Sequence, residues 1–177
     1  SACERLLLRY PAPRYPADCW ERGVQVFRCG ITLAPQPALA GVKHLNRLEQ
    51  VLASRNWPDN AQEGILCDHA GHVIGGTRSN LFWSRGGVLY TPQLHECGVS
   101  GMMRSKVLEL ASSLGIAAQV QPVTWPELEL ADEIFLTNSL IGIWPVHACY
   151  AGTEKTWTSP GALTQRCMDA LQHPRLC

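Results

Sequence analysis

The chain has 177 residues, of which 46% are hydrophobic and 17% are charged. These values are typical of one well-packed globular domain. Fifteen basic and fifteen acidic residues cancel, so the composition indicates no electrostatic surface for nucleic acid or for an anionic membrane. No apolar run approaches the ~20 residues that a membrane-spanning helix requires.

The N-terminus and the cysteines bear on where the protein resides. The apolar run from Leu6 to Leu8 is short and closely flanked by charges, which does not fit a signal peptide. The chain starts abruptly, as a piece of a longer protein would. Its eight cysteines are scattered without C-x-x-C spacing, and several lie in apolar runs, where a thiol behaves as a small hydrophobe. We therefore expect reduced thiols and a cytoplasmic protein.

Apolar runs bounded by turn residues predict strands and helices along the whole chain. The last predicted strand is interrupted by Pro145, and Gly115 is expected to close the second helix as a C-cap glycine. The predicted strands cover residues 6–10, 24–33, 64–68, 72–76, 80–84, 88–91, 117–123, 133–137 and 143–148. The predicted helices cover residues 45–55, 102–114, 125–131 and 160–171.

The arrangement of these elements predicts the fold class. Strands outnumber helices and mostly meet through short hairpins, which favours an α+β fold with a mixed or antiparallel sheet and flanking helices. No internal repeat and no linker divides the sequence. We expect a single domain over residues 1–177.

Lys43 is one of three lysines in the chain and lies in the segment GVKHLNRLEQVL, residues 41–52. The neutral amine of a lysine condenses with a carbonyl, whereas arginine does not form a stable Schiff base at neutral pH. Apolar residues at helical spacing follow it, which places Lys43 at a loop-to-helix junction beside apolar surface. The alternative interpretation is an ordinary solvated lysine near a helix start.

A second motif, GVSGMMR at residues 98–104, stands directly before the predicted helix 102–114. Two glycines allow close backbone approach, and Ser100 is expected to cap the helix. A helix N-terminus of this kind binds phosphate through its free N–H groups, although most such turns bind nothing. The pair Asn138 and Ser139 ends a predicted strand and is a further candidate for contact with an anion.

Metal and hydrolase sites are disfavoured by the spacing of the relevant residues. Cys67, His69 and His72 lie around a hairpin turn that points them in different directions, and no second ligand pair follows. There is no G-x-S-x-G motif, since Ser100 lacks the first glycine at the required offset. We expect no metal site.

Together these motifs resemble the fold-type IV pyridoxal-phosphate enzymes. The resemblance rests on GVKHLNRLEQVL, on TRSNLFW at 77–83, and on VLYTPQL, GVSGMMR and FLTNSL in the same order. That family includes branched-chain and D-amino-acid aminotransferases and aminodeoxychorismate lyase, and the lysine segment is most similar to that of the lyase. The resemblance runs from about Leu6 to the C-terminus.

The resemblance implies a role for each matching residue. Lys43 would be the Schiff-base lysine and the catalytic residue. The N–H groups around Gly101, Met102 and Met103 would hold the phosphate of pyridoxal 5'-phosphate. The remaining residues in matching motifs would contact the phosphate or substrate, or shape the pocket: Ser139, Asn138, Asn80 and Asn46.

Two departures from the family pattern stand out. The match is to the larger C-terminal domain, and the smaller N-terminal domain of the family is absent from this sequence. In addition, the family usually places a glutamate against the pyridine nitrogen five residues before the asparagine of S-N-L-F, and here that position is Gly75. We expect Gly75 to lower activity and Gly75→Glu to raise turnover in a full-length protein. The sequence identifies no replacement carboxylate.

The implied function is a lyase that eliminates pyruvate from aminodeoxychorismate and forms 4-aminobenzoate for folate synthesis. By analogy the protein would be a homodimer. Two alternatives stay open: an aminotransferase with the same cofactor and lysine, and an inactive relic or fragment. A generic α+β domain with a surface lysine is the least specific interpretation.

Overall fold

In a computed structural model of the chain, residues 4–55, 57–152 and 154–175 are described. Their strands are β1 (Val24–Leu33), β2 (Glu63–Asp68), β3 (Val73–Gly76), β4 (Asn80–Arg85), β5 (Val88–Thr91), β6 (Ala118–Val120), β7 (Glu133–Asn138), β8 (Gly142–Tyr150) and β9 (Glu154–Thr156). Their helices are α1 (Asp18–Glu21), α2 (Leu48–Ala53), α3 (Met102–Ser113), α4 (Trp125–Leu128) and α5 (Ala162–Leu171), with a 3-10 turn at Pro37–Leu39.

The strands form one mixed sheet in the order β3-β2-β1-β8-β7-β4-β5-β6, and β9 pairs with β8. The pairs β1–β2, β1–β8 and β5–β6 are parallel, whereas the hairpins and β4–β7–β8 are antiparallel. This confirms the predicted α+β class with a mixed sheet.

The alternation of side chains along the central strands builds a core on each face of the sheet. Phe82 on β4 and Phe135 on β7 are directly paired, and their rings stack with centroids 5.0 Å apart beneath α3 and α5. Their strand neighbours Leu81, Trp83 and Leu136 point to the opposite face and pack with other buried aromatic and aliphatic residues. A third, smaller cluster lies under α2.

Several predicted elements are confirmed with small shifts of their bounds. The strand predicted at 24–33 is β1, and both hairpins form where the sequence placed them. Gly115 follows α3 with φ +68°, as expected for a C-cap glycine. By contrast, Pro145 does not interrupt β8, because it pairs with Phe135 and lies just before the first β8 residue that pairs with β1.

Two predicted elements are wrong in ways that matter for the site. Residues 6–10 form no strand and pair with no described strand, and Leu7 is 95% exposed. The helix predicted from Leu45 begins only at Leu48, without a side-chain cap, and Gly41 upstream of it is bridged to Val99 of another loop. The 3-10 turn, α1 and β9 were not predicted.

The remaining differences are in length. The strand predicted at 117–123 is only β6, and the helix predicted at 125–131 ends at Leu128. The helix α5 begins at Ala162 after Gly161. Among the described residues no helix is long and apolar enough to cross a membrane; α3 has twelve residues.

Candidate active site

A cleft of about 540 Å³ lies where four segments of the chain meet. Those segments are the stretch after β1 that carries Lys43, the β3–β4 turn, the loop before α3 and the turn between β7 and β8. Clefts of roughly this size bind small molecules and cofactors. The cleft thus brings together motifs that are far apart in the sequence.

The lysine segment is tied directly to the loop before α3. The amide of Gly41 donates to the carbonyl of Gly98 (3.0 Å), and the amide of Ser100 donates to the carbonyl of Gly41 (3.0 Å). Lys43 follows two residues later and lines the cleft. These backbone hydrogen bonds hold the chain two residues before Lys43, whose side chain is exposed, and four residues of non-helical chain separate Lys43 from α2.

The N-terminus of α3 opens into the same cleft. Its N-cap is Gly101, so the expectation that Ser100 caps the helix is wrong, and Gly101 offers no side chain for capping. The first-turn N–H groups of a helix lack intrahelical partners and carry partial positive charge. Gly101, Met102 and Met103 all line the cleft, but the amide of Gly101 already donates to the side chain of Asn80, so of the three predicted phosphate donors only Met102 and Met103 stay candidates.

Asn80 braces this loop from the start of β4. Its side chain is buried, donates through Nδ2 to the carbonyl of Val99 (2.7 Å) and accepts through Oδ1 from the amide of Gly101 (3.2 Å). A Cβ atom at Gly101 would collide with this Oδ1. The amide of Asn80 and the missing side chain of Gly101 together set the shape of the loop.

Asn138 organises the turn between β7 and β8. Its Oδ1 accepts from the amides of Leu140 (2.8 Å) and Ile141 (3.1 Å), and its Nδ2 donates to the carbonyl of Arg78 (3.2 Å). Ser139 is presented by this turn and lines the cleft. The side chain of Asn138 is therefore engaged in holding the turn.

Asn46 lies outside the group that the cleft brings together. It is exposed and does not line the cleft, whereas its neighbour Arg47 does. Arg47 donates through Nη2 to the carbonyl of Thr77 (2.9 Å), and its burial lowers the pKa of the guanidinium. Sequence reasoning missed Arg47; its only signal was a cationic side chain inside the lysine motif.

Arg78 was also missed. It lines the cleft from the β3–β4 turn, and its guanidinium lies over the ring of Trp57, 5.1 Å from the centroid. It also donates to the carbonyl of Gln62 (3.0 Å). With Lys43 and Arg47 it gives the cleft three cationic side chains, and among the described residues that line the cleft there is no Asp or Glu.

A buried carboxylate lies behind the β3–β4 turn. Glu63 is 1% exposed and does not line the cleft. Its Oε1 accepts from the amide of Gly64 (3.0 Å) and from both the amide (3.1 Å) and the hydroxyl (2.6 Å) of Thr77. Its Oε2 accepts from the hydroxyl of Ser79 (2.9 Å). Glu63 therefore holds the turn in place with both oxygens.

Gly75 lines the cleft at the position where the family usually has glutamate. Its φ is +155°, a conformation that favours glycine, and an added Cβ would lie 3.0 Å from the carbonyl oxygen of Ser79. A side chain at this position would therefore strain the backbone of β3.

The residues weighed for a metal have other partners. His69 Nδ1 donates to the carbonyl of Leu33 (2.8 Å), and His72 Nδ1 lies 3.2 Å from the carboxylate of Asp68. Burial raises the pKa of the Cys67 thiol, which lowers its reactivity. These contacts explain the three side chains without a ligand.

Comparison with known proteins identifies the family. The family model for amino-transferase class IV matches residues 7–149. The chain is 42% identical to an aminodeoxychorismate lyase of Vibrio harveyi over 147 residues, which cover 82% of this chain and 54% of that protein. A crystal structure of 4-amino-4-deoxychorismate lyase from Pseudomonas aeruginosa matches with a TM-score of 0.87 and 44% identity, over 92% of this chain and 59% of that chain.

A branched-chain amino acid aminotransferase from Escherichia coli matches with a TM-score of 0.78 and 26% identity, over 90% of this chain and 54% of that chain. The chain therefore belongs to the class IV aminotransferase family, which confirms the resemblance seen in the sequence motifs. It spans little more than half the length of the two lyases it matches.

Proposed function

We propose that this chain provides the cofactor-binding cleft of an aminodeoxychorismate lyase that uses pyridoxal 5'-phosphate. The observation that carries the proposal is that Lys43 and the free N-terminus of α3 line one cleft. A lysine amine and a phosphate-binding helix terminus are the two groups needed to hold a phosphorylated aldehyde. The 42–44% identity to two lyases supports the choice of reaction.

The residues present fit this cofactor. The amides of Met102 and Met103 stand at the start of α3 and line the cleft, whereas the amide of Gly101 is already held by Asn80. Arg47 and Lys43 add positive charge to the cleft, which favours a phosphate dianion. Ser139, on the turn between β7 and β8, adds a hydroxyl to the lining of the cleft.

The bound cofactor would withdraw electrons from the substrate carbon that carries the amino group. The Lys43 amine acts as general base and takes the proton from that carbon. The C–H electron pair becomes a ring double bond, and the C–O pair leaves with the enolpyruvyl oxygen. Lys43 then returns the proton to the departing group, which gives pyruvate, and the ring becomes 4-aminobenzoate.

The first test is whether Lys43 binds the cofactor covalently. We expect an absorbance band of linked pyridoxal phosphate in wild type that borohydride bleaches, and no such band in Lys43→Ala. Lys106→Ala is the matched control, because Lys106 lies on the exposed side of α3 next to Glu109. Equal labelling of wild type and Lys43→Ala would contradict the assignment.

The second test distinguishes lyase from aminotransferase, the alternative supported by the match to the Escherichia coli enzyme. A lyase releases pyruvate and 4-aminobenzoate from aminodeoxychorismate in equal amounts and leaves the cofactor as the aldehyde. An aminotransferase converts the cofactor to its amine form and transfers nitrogen to a 2-oxo acid. Nitrogen transfer without release of pyruvate would exclude the lyase.

We further propose that the protein acts in the cytoplasm as a homodimer. Support for association comes from the outer face of α2 and the residues before it, where Leu45 is fully exposed and Leu48 is 64% exposed. Activity of the chain on its own is a separate question, which the same two tests address. Absence of both cofactor linkage and turnover would favour an inactive relic or fragment.

A further inference from the structure

The polar groups of the cleft share one chemical property. Each polar side chain that lines it among the described residues can donate a hydrogen bond, and none of them is a carboxylate. The charged ones are Lys43 and Arg47 on the segment after β1, and Arg78 on the β3–β4 turn. The loop before α3 and the β7–β8 turn contribute no charged side chain.

Such a cleft disfavours protonation of a pyridine ring. A protonated ring nitrogen is a cation, which nearby carboxylates stabilise and nearby cations destabilise. Of the three cationic side chains that line the cleft, Arg78 is paired with the buried Glu63 (Nε to Oε2, 3.8 Å), and Lys43 is taken up in the linkage to the cofactor. The state of the ring nitrogen therefore depends on whether a carboxylate faces it, and no lining position in the described cleft carries an acidic side chain, whatever the orientation of the ring.

The buried carboxylate nearby is not available to the ring. Both oxygens of Glu63 accept hydrogen bonds from the β3–β4 turn and the adjoining amide, including the hydroxyls of Thr77 and Ser79. To reach a ligand, Glu63 would have to leave these donors unpaired in a buried place, which is costly. Its charge is committed to the turn.

Gly75 does not supply a carboxylate to the ring either. It lines the cleft, but its φ of +155° and the 3.0 Å approach of an added Cβ to the Ser79 carbonyl disfavour any side chain. The backbone of β3 is thus shaped around glycine at this point. A side chain at this position strains the backbone of β3, and glycine itself offers no carboxylate to the ring.

Resting on the proposed function, we propose that this cleft holds bound pyridoxal phosphate with its ring nitrogen unprotonated, as an acceptor of hydrogen bonds. An unprotonated ring withdraws electrons less strongly. Such a ring suits the substrate of the proposed function, which carries its own leaving group on the neighbouring carbon and gains aromaticity when that group leaves.

The experiment uses pyridoxal phosphate labelled with nitrogen-15 at the ring, bound to the wild-type chain. The nitrogen-15 resonance of a pyridine moves far upfield when the nitrogen is protonated. We expect the resonance of an unprotonated ring at neutral pH, with no movement on mild acidification. A resonance in the protonated position at neutral pH would overturn the inference.

Two variants isolate the charge. Gly75→Glu and Gly75→Gln impose the same backbone strain on β3, and only the first adds a carboxylate to the cleft. We expect the resonance to move upfield in Gly75→Glu relative to Gly75→Gln. Identical upfield resonances in wild type and both variants would show that the ring is protonated without a carboxylate and would refute the proposal.

The outcomes separate the two proposals. If borohydride traps no cofactor on Lys43, the proposed function fails and the inference fails with it. If the cofactor is linked to Lys43 and its ring is protonated, the proposed function stands and only the inference fails. The resonance is read on the resting, linked protein, so neither result depends on turnover.

Discussion

Two apolar regions of the molecule look alike in sequence and differ in structure. Under α3 and α5, Val107 and Ala111 of one face of α3 are fully buried against a stacked pair of phenylalanine rings. Around α2, leucines recur at similar helical spacing, yet Leu45 is 100% exposed and Leu48 is 64% exposed. Of the α2 residues only Ala53 is buried.

The difference shows what apolar residues at helical spacing do and do not predict. Such spacing identifies a helix face that is more stable when it is buried away from water. Whether that face is buried depends on a partner surface, which helices α3 and α5 find on the sheet. The outer face around α2 has no such partner among the described residues, so its leucines are the part of the molecule most suited to contact another surface.

The largest expected effect tests this contrast directly. Phe82→Ala should lower the free energy of unfolding by about 3–5 kcal/mol, because it opens a cavity in the closed core. Leu48→Ala should change it by no more than about 0.5 kcal/mol, since the side chain is already in water. Urea unfolding of both variants measures the difference. Similar losses would mean that the α2 face is buried in solution.

Asn80 connects the packed strand β4 to the cleft and should have the next largest effect. Asn80→Ala should cost about 2 kcal/mol, because the carbonyl of Val99 and the amide of Gly101 lose their partner. Hydrogen exchange at the Gly101 amide should accelerate in Asn80→Ala and less so in Asn80→Asp, which keeps an acceptor. Equal protection in all three proteins would show that the brace is unimportant.

The pH dependence of stability compares the buried cysteine thiols of the two regions. Burial raises the pKa of the Cys167 thiol, in the core under α3 and α5, to about 11, and it raises the pKa of the Cys97 thiol, beside Ala53 under α2, to about 11. The folded protein then keeps protons that the unfolded chain releases above its ordinary thiol pKa. Stability should therefore be unaffected below that pKa and fall above it, by at most about 1.4 kcal/mol per pH unit for each thiol.

Thermal unfolding across the alkaline range checks this, with Cys167→Ala and Cys97→Ala as variants. Each variant should show a shallower decline than wild type, whatever its stability at neutral pH. A variant whose stability declines as steeply as that of wild type would show that its thiol is in contact with water.

The smallest effect on stability is expected for the exposed leucines themselves. Leu45→Ser should leave unfolding unchanged and reduce self-association measured by light scattering. Leu130→Ser is the matched control, since Leu130 is 58% exposed on a different part of the surface. A monodisperse monomer in wild type would contradict the proposed association.

Comparing the sequence predictions with the structure also indicates which parts of the fold and of the site could be predicted. The strand β1, the hairpins and α3 follow from local alternation, glycine turns and a C-cap glycine, so sequence alone predicted them. Lys43 and the loop at Gly101 were recognisable as motifs with known chemistry. These features depend on a few neighbouring residues, and the sequence contains all of the information they need.

Local sequence patterns could not predict that Arg47 and Arg78 line the cleft, or that Asn46 does not. Arg47 points into the cleft because it reaches the carbonyl of Thr77, and Arg78 lies over Trp57 on a turn held by Glu63. The strand expected at residues 6–10 failed because it needs a neighbouring edge. Such outcomes depend on contacts between distant segments, which a local pattern does not contain.

The hydrogen bonds between Gly41 and the loop at Gly98 and Ser100 have a consequence for how the protein folds. They close a chain segment of more than fifty residues that contains four strands, so the lysine segment and the helix terminus meet only after that segment is ordered. Contacts of such long range form slowly. The proposed cofactor would therefore have no site on the nascent or partly folded chain, and its uptake would report completion of the fold.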